Sequence, residues 1–156
     1  MEATVSGKYY EELEPGQIYR HAITRTVTET DNLLFSALTY NPQPLHIDAE
    51  FSKNTVHGQR LVNSIFTLGL VVGVGVGELT LGTTLGNLGF GEISFPKPVF
   101  IGDTLRAETE ITEKRESRKN PQTGIVHFET RGYNQRDEMV VKVHRIGLMM
   151  KRPATA

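Results

Sequence analysis

The sequence has no cysteine, almost no net charge and no apolar run long enough to cross a bilayer. The lack of cysteine excludes disulfides, thiolate zinc sites and a cysteine nucleophile, and it favours an intracellular location. Lysine plus arginine (17) nearly balances aspartate plus glutamate (18), so the chain lacks the basic field that nucleic acids and anionic membranes attract. We therefore expect a cytoplasmic protein that binds neither.

The most apolar stretch, residues 65–76, is shorter than the roughly 20 residues that a membrane-spanning helix needs. It predicts a buried helix instead. The N-terminus contains Glu2 and no apolar run, which is unlike a signal peptide. A length of 156 residues suits one domain, with residues 1–10 and 152–156 expected to be loose ends.

The first half of the chain predicts a strand, a short helix and a stiff loop. Alternating residues indicate a strand over 17–27. Thr28 is the expected N-cap of the helix that follows, with Asp31 as its capping partner. The prolines within 41–44 end this helix, because a residue that precedes proline is pushed out of the α region. The loop that follows carries His46.

A second helical region follows this loop. Asp48 is expected to cap one turn through Phe51, and a longer apolar helix is expected to begin near Val62, capped by Asn63 or Ser64. Glycine is costly inside a helix unless another backbone approaches closely. Three glycines repeat at four-residue spacing on one face, and we expect a wrapped sheet to contact them: Gly69, Gly73 and Gly77.

Four strands complete the predicted order, at 84–95, 104–116, 124–134 and 138–150. In the second strand apolar and charged residues alternate, as expected for a sheet with one face exposed to solvent. One face carries Leu105, Ala107, Thr109 and Ile111, and the other carries Arg106, Glu108 and Glu110. Short turns rich in proline, asparagine and glycine separate the strands. The sequence therefore predicts an α+β domain with an antiparallel sheet.

The segment TYNPQPLHID concentrates amide, imidazole and carboxylate side chains that could serve a functional site. Its two prolines hold Asn41, Gln43 and His46 in a restricted geometry, which suits a site that must orient a water molecule against a substrate. The structural alternative is that these polar side chains only satisfy the loop backbone and cap the next turn. The residues of the segment leave both readings open.

Four segments together resemble the MaoC-like family of hydratase-2 enzymes. They are PLHID at 44–48, LVNS at 61–64, FPKPV at 95–99 and GDTL at 102–105. The resemblance extends over residues 11–150. LTYNPQPLHID and RLVNSIFTLGL are further similar to the branch that acts on C4 and C5 dicarboxylic acyl-CoA thioesters, such as mesaconyl-CoA, methylmalyl-CoA or itaconyl-CoA.

The resemblance implies a hot-dog fold, in which an antiparallel sheet wraps a long central helix. It also implies reversible, cofactor-free hydration of an enoyl-CoA, with CoA as part of the substrate, and His46 as the catalytic residue. The family motif has aspartate where this chain has Asn41, and asparagine where it has Gln43. Because an amide cannot act as a base, we expect His46 to take the proton from water while Asn41 holds that water.

Further site residues follow from the same resemblance and from chemistry. Backbone N–H groups at a helix start can stabilise the enolate oxygen, which assigns the oxyanion hole to Ser64 and Asn63. Gln43, His57 and Arg60 are candidate substrate-binding residues, the last two for a substrate carboxylate. A basic run at residues 114–119 is a candidate for CoA phosphates, although such runs more commonly mark a solvated hairpin end.

Two other functions remain open on the sequence. Hot-dog proteins also hydrolyse thioesters, but that reaction ordinarily needs a carboxylate near the oxyanion helix, and residues 56–68 contain none. A non-catalytic acyl-CoA-binding protein is the other alternative, because Asn41 replaces the expected acid. A lone wrapped sheet leaves an open edge, so we expect at least a homodimer with acyl-CoA along the subunit boundary.

Overall fold

The computed structural model describes residues 6–153, which fold as a short N-terminal region, a helical middle and four long strands. The first elements are a 3-10 turn (Tyr10–Glu12), β1 (Ile18–Arg20), β2 (Arg25–Thr26) and α1 (Glu29–Leu38). The helical middle holds α2 (Pro44–Ile47), α3 (Ala49–Lys53), α4 (Ser64–Val74) and α5 (Val76–Leu79). The strands are β3 (Thr84–Ser94), β4 (Thr104–Glu116), β5 (Thr123–Tyr133) and β6 (Met139–Met150).

One antiparallel sheet carries the fold, in the order β1-β4-β5-β6-β3, with β2 also pairing with β4. The four predicted C-terminal strands are confirmed to within one residue at each end. The predicted alternation in β4 is also confirmed, since its buried residues lie on one face and its charged residues on the other. The long strand β3 lies at one edge of the sheet.

The predicted first strand, 17–27, is interrupted. Within this segment only β1 and β2 form strands paired with β4. The buried His21 still donates its backbone N–H to the Ala107 carbonyl (3.1 Å), and residues 22–24 leave the ladder. The predicted helix start is confirmed: Thr28 accepts from the Asp31 N–H, and the Asp31 carboxylate accepts from the Thr28 N–H. This reciprocal capping satisfies donors that a helix start leaves free.

The central helix is covered on one face only. Leu68, Val71 and Val74 of α4 join the main core cluster against β4, β5 and β6, whereas Ile65 is 56% exposed. The expected close approach at Gly69, Gly73 and Gly77 is wrong, because no other atom lies within 4 Å of a Cβ built at any of them. These glycines lie on the outer side of the helix, away from the sheet.

Two other glycines make the close approaches. A Cβ at Gly132 of β5 would lie 2.5 Å from Val71 Cγ2, and one at Gly75 would lie 2.7 Å from His21 Nε2. Both distances are shorter than packed side chains tolerate. The helix therefore meets the sheet through a glycine on a strand, and it breaks between α4 and α5 where a buried histidine needs space.

The start of the described chain is anchored, which makes the predicted loose N-terminal end wrong for residues 6–10. Gly7 and Lys8 donate backbone hydrogen bonds to Leu81 and Leu79, and Tyr10 is buried in a second core cluster. The remainder of that prediction, residues 1–5, lies outside the described range. At the C-terminal end the Arg152 N–H donates to the Glu11 carboxylate. Residues 154–156 of the predicted loose end lie outside the described range.

No helix within the described part of the chain is long and apolar enough to span a membrane.

A partly buried chain of hydrogen bonds joins α5 to the sheet. Since a carboxylate only accepts, His21 Nδ1–H donates to Glu78 Oε2 (2.8 Å), and Nε2 forms a hydrogen bond with the Thr109 hydroxyl (2.9 Å). Thr109 in turn contacts Thr130 Oγ1 at 2.9 Å. Hydrogen bonds from the Ala22 N–H and then from His21 lower the pKa of the Glu78 carboxyl.

This lowered pKa predicts a pH-dependent contribution to stability. A depressed folded-state pKa stabilises the fold above the carboxyl's ordinary pKa, and the contribution is lost as pH falls through the folded value. Glu78→Gln should therefore be less stable than wild type at pH 6–7, and the difference should shrink towards pH 3. Urea unfolding at both pH values measures it. Glu50→Gln, on exposed α3, is the control and should show no such convergence.

Candidate functional site

His46 lies on a helical turn rather than in the extended loop that the sequence predicts. Pro44 occupies the first helical position of α2, where its missing N–H costs nothing, and Gln43 caps the turn in an extended conformation. The His46 N–H donates to the Gln43 carbonyl at 3.0 Å. This turn buries His46, which is only 9% exposed.

One hydrogen bond fixes the His46 ring. Nδ1 lies 2.8 Å from the Leu61 carbonyl oxygen, and because a carbonyl can only accept, Nδ1 carries the proton. In the neutral ring Nε2 then presents its lone pair. Nε2 has no hydrogen-bond partner within residues 6–153. The fully buried side-chain nitrogen and oxygen atoms that lack a partner in that range are Thr83 Oγ1 and Arg145 Nε. Because Nε2 is not one of them, it retains solvent access.

Asn32 holds this arrangement together, and the sequence reasoning missed it. Its side chain is fully buried on α1. The Nδ2 group donates to the His46 carbonyl (2.9 Å) and, at 3.4 Å, to the same Leu61 carbonyl that His46 uses, while Oδ1 accepts from the Asn63 N–H (2.9 Å). A sequence signal for a buried Asn32 was available. Asn32 and Ser36 are polar residues four positions apart, which places both on the same, buried face of the helix.

Asn41 offers a donor rather than an acceptor. Its Oδ1 accepts from the Gln43 N–H at 3.1 Å, which turns Nδ2 away from that contact, and Nδ2 has no partner within residues 6–153. The preceding Tyr40 has a positive φ of 55° and is 93% exposed, so the chain leaves α1 sharply at this point. Gln43 itself is exposed, and its backbone serves as the cap of α2.

The start of α4 presents one of the two predicted oxyanion donors. Asn63 is wrong as a donor, because its N–H is already bonded to Asn32 and its side chain caps the Ile65 N–H at 3.0 Å. In the described chain the Ser64 N–H has no acceptor, and it lies at the positive end of an eleven-residue helix. The Ser64 N–H is therefore free to donate and its oxyanion role stays a prediction, whereas Asn63 caps the helix start.

Two clefts lie near the turn that carries His46. A cleft of about 500 Å³ under α1 is largely apolar and is lined by Leu33, Ser36, Ala37, Tyr40, Asn41, Pro42 and Ile47. A second, of about 270 Å³, is lined by Ser64 and His57 together with residues such as Leu61 and Val140. Ile47 follows His46 directly, and Leu61 is its hydrogen-bond partner. Asn41 and Ser64 therefore line different clefts of the single chain, and each cleft contains a residue next to or bonded to His46.

Two predicted anion-binding groups are occupied or distant. Arg60 forms an ion pair with Glu29 at 2.6 Å and lines a different cleft from Ser64. The basic run 114–119 lies at the far end of β4 from the connection 95–103 that lines the Ser64 cleft, about 40 Å along the strand. Its Lys114 is paired with Glu14.

The remaining histidines form no metal centre. His127 Nδ1 lies 3.2 Å from His144 Nε2 on the outer face of the sheet, and His21 belongs to the partly buried chain with Glu78. In residues 6–153 no three histidine, aspartate or glutamate side chains are grouped closely enough to hold a metal ion.

The comparison with family models matches the MaoC like domain over residues 11–133. A mesaconyl-CoA hydratase from Cereibacter sphaeroides is 33% identical over 153 residues, which cover 98% of this chain but 44% of that protein. The chain thus spans less than half of this relative's length.

Solved structures share the fold. A MaoC-like dehydratase from Rhodospirillum rubrum superposes with a TM-score of 0.81 at 26% identity, covering 94% of this chain and 99% of that one. A Mycobacterium tuberculosis protein described as a double hot-dog gives a TM-score of 0.86 at 19% identity over 97% of this chain and 46% of its own. These likenesses confirm the α+β hot-dog architecture.

The position of Asn32 predicts a large cost for its removal. Asn32→Leu keeps the branching at Cγ but leaves the Asn63 N–H and the His46 carbonyl buried without partners, each worth roughly 1–3 kcal/mol. We expect a clear fall in the free energy of unfolding, measured by urea denaturation. Asn54→Leu is the matched control, because within residues 6–153 the exposed Asn54 side chain makes one long hydrogen bond, to the Glu50 carbonyl. Equal effects of the two variants would contradict the assigned role of Asn32.

Proposed function

The chain belongs to the MaoC-like dehydratase family, and from that premise we propose that it catalyses the reversible addition of water to a 2-enoyl-CoA thioester. The observation that carries the proposal is the His46 ring, whose Nδ1 is held by the Leu61 carbonyl and whose Nε2 is accessible. A neutral imidazole in this tautomer is a suitable base at neutral pH.

In the proposed reaction His46 Nε2 takes a proton from water as the water oxygen bonds to C3. The C2–C3 π electrons move towards the thioester oxygen as the enolate forms. The Ser64 N–H, at the start of α4, is the donor proposed for that developing charge. The protonated His46 then returns its proton to C2, so the net change is the addition of one water. Dehydration follows the same steps in reverse.

Asn41 has a different part from the aspartate that the family motif carries. Because its Oδ1 faces the Gln43 N–H, its Nδ2 group is the one that can contact the attacking water or the thioester oxygen. It can therefore orient a substrate atom but cannot remove a proton. This supports a site in which His46 is the only acid-base group.

The substrate proposed is a short dicarboxylic acyl-CoA. Support comes from the motif segments and from the relative named a mesaconyl-CoA hydratase. Of the three groups proposed from the sequence, His57 is the one with access to the Ser64 cleft, where its ring stacks edge-on to Phe100. It is the candidate for the distal carboxylate, whereas Arg60 and Gln43 lie outside that cleft.

We predict that His46→Ala lowers kcat/KM for hydration by about 10²- to 10⁴-fold, because it removes the only proposed base. The assay follows enoyl-thioester absorbance with mesaconyl-CoA, itaconyl-CoA and crotonyl-CoA. His127→Ala, on the outer sheet face, is the matched control and should retain activity. Unchanged turnover in His46→Ala would overturn the mechanism, and release of free CoA without hydration would favour a thioesterase.

Asn41→Asp separates the two possible roles of position 41. If Asn41 only orients water or substrate, the aspartate should change the pH profile of kcat without being required for activity. If position 41 must supply a base, the wild type should be nearly inactive and Asn41→Asp should gain activity. Binding of acyl-CoA by an inactive wild type would instead support the non-catalytic alternative.

The edge strand β3 supports the proposed homodimer. It is eleven residues long and exposes several large apolar side chains on or next to its edge: Leu85, Leu88, Phe90, Ile93 and Phe95. Such an edge is a template for pairing with another strand unless it is covered. The relative that is more than twice as long as this chain has room for a second such unit. A second copy of this chain is the occupant we propose.

A charge on this edge should separate the subunits. Leu88→Lys places a cation at a 53% exposed position on β3, and we expect a shift from dimer to monomer in sedimentation velocity. Leu38→Lys, on α1 and 77% exposed, is the control and should leave the dimer intact. A wild type that sediments as a monomer at micromolar concentration would contradict the proposed assembly.

A further inference from the structure

Arg145 is a partly buried charge without a counter-charge. It lies on β6, directly opposite Phe128 of β5, and its guanidinium carbon is 4.7 Å from the Phe128 ring centre. Nε is fully buried with no hydrogen-bond partner in the described chain. No carboxylate within residues 6–153 lies within ion-pair distance of it, and burial alone lowers its pKa.

The other arginines of similar burial are all paired. Arg60 pairs with Glu29, Arg106 with Asp137, and Arg131 with three glutamates: Glu108, Glu110 and Glu129. An arginine remains charged in a protein, so Arg145 carries its charge into a partly apolar setting without compensation. Such a charge destabilises the fold unless something outside the chain completes it.

The guanidinium lies on the inner, helix-facing side of the sheet, next to an uncovered region. Arg145 follows the parity of Val141, Val143 and Met149, which are buried in the core, and it pairs across to Phe90 of β3, which is 45% exposed. Its terminal nitrogens are not among the fully buried unpartnered atoms of the described chain. A ligand entering from the β3 side can therefore reach them.

The position also separates Arg145 from the reacting centre. Val140 lines the Ser64 cleft, and Arg145 lies five residues further along β6, about 17 Å at strand spacing. A carboxylate on a short acyl group lies only a few bonds from the thioester carbon. The phosphates of a CoA thioester lie at the far end of the pantetheine arm, which agrees better with this separation.

We propose that Arg145 is an anion-binding residue that receives an oxyanion of the substrate, phosphate or carboxylate, at the β3 side of the sheet. The proposal rests on the proposed function for the nature of that substrate. Guanidinium forms paired, charge-assisted hydrogen bonds with phosphate and carboxylate oxygens, and stacking on Phe128 fixes its plane for that contact. The missing counter-charge is then supplied by the ligand.

Isothermal titration calorimetry of Arg145→Met tests this directly, because methionine keeps an apolar stem over Phe128 and removes the charge. The ligands are CoA, which has phosphates, a dicarboxylic acyl-pantetheine, which has only a carboxylate, and pantetheine, which has neither. We expect affinity for CoA to fall about 10- to 100-fold relative to wild type, with pantetheine unaffected. A loss confined to the acyl-pantetheine would support the carboxylate as the oxyanion.

Two further measurements complete the test. Arg20→Met removes the same charge from an exposed position and should bind CoA as the wild type does. The Tm of Arg145→Met should be equal to or above that of wild type, since an uncompensated charge is lost. Wild-type affinity of Arg145→Met for both anionic ligands would overturn the proposal. The calorimetry measures binding and needs no turnover. If the protein shows no hydratase activity but its CoA binding depends on Arg145, the proposed function is contradicted and the role of Arg145 is not.

Discussion

The site depends on the carbonyl of Leu61 and the side chain of Asn32, which together join three segments that are distant in sequence. His46 and Asn32 both donate to the Leu61 oxygen, and Asn32 also accepts from the Asn63 N–H. Helix α1, the turn α2 and the start of α4 are therefore fixed relative to one another by buried hydrogen bonds. A buried network of this kind positions its members only when all of them are satisfied.

This junction orients each group at the site. The Leu61 carbonyl fixes the protonated nitrogen of His46, and the bond from Asn63 to Asn32 leaves Ser64 as the open donor of α4. The Gln43 N–H orients the Asn41 amide. The aspartate that the family motif carries is absent, so the directional hydrogen bonds of the backbone, rather than a second charge, define the surroundings of His46.

The single chain leaves apolar surface on the side of β3 and on the outer face of α4, where Ile65 and three glycines are exposed. Arg145 lies beside the first of these surfaces, paired across to Phe90. An edge strand with apolar side chains and an uncompensated charge nearby have a common explanation if a second subunit and a bound anion meet there. The outer-face glycines then need no contact within their own chain.

The sequence determined the features that depend on neighbouring residues. Capping by Thr28 and Asp48, the helix stop at the prolines, the bounds of β3 to β6 and the alternation in β4 all arise from local backbone preferences and short-range periodicity. The motif around His46 also identified the family. Each of these signals lies within a few residues, and it therefore survives without knowledge of the fold.

Only the tertiary structure decided which polar groups remain free. The deciding contacts join residues about 30 positions apart in the sequence. They occupy the N–H of Asn63, pair Arg60 with Glu29 and give Asn32 its buried role. Arg145 is alike in this respect, because a lone arginine in a strand pattern gives no sign of whether a carboxylate will lie opposite. A donor or a charge that is bonded to one group is no longer free to bind another, and the packing of the chain decides which groups come into contact.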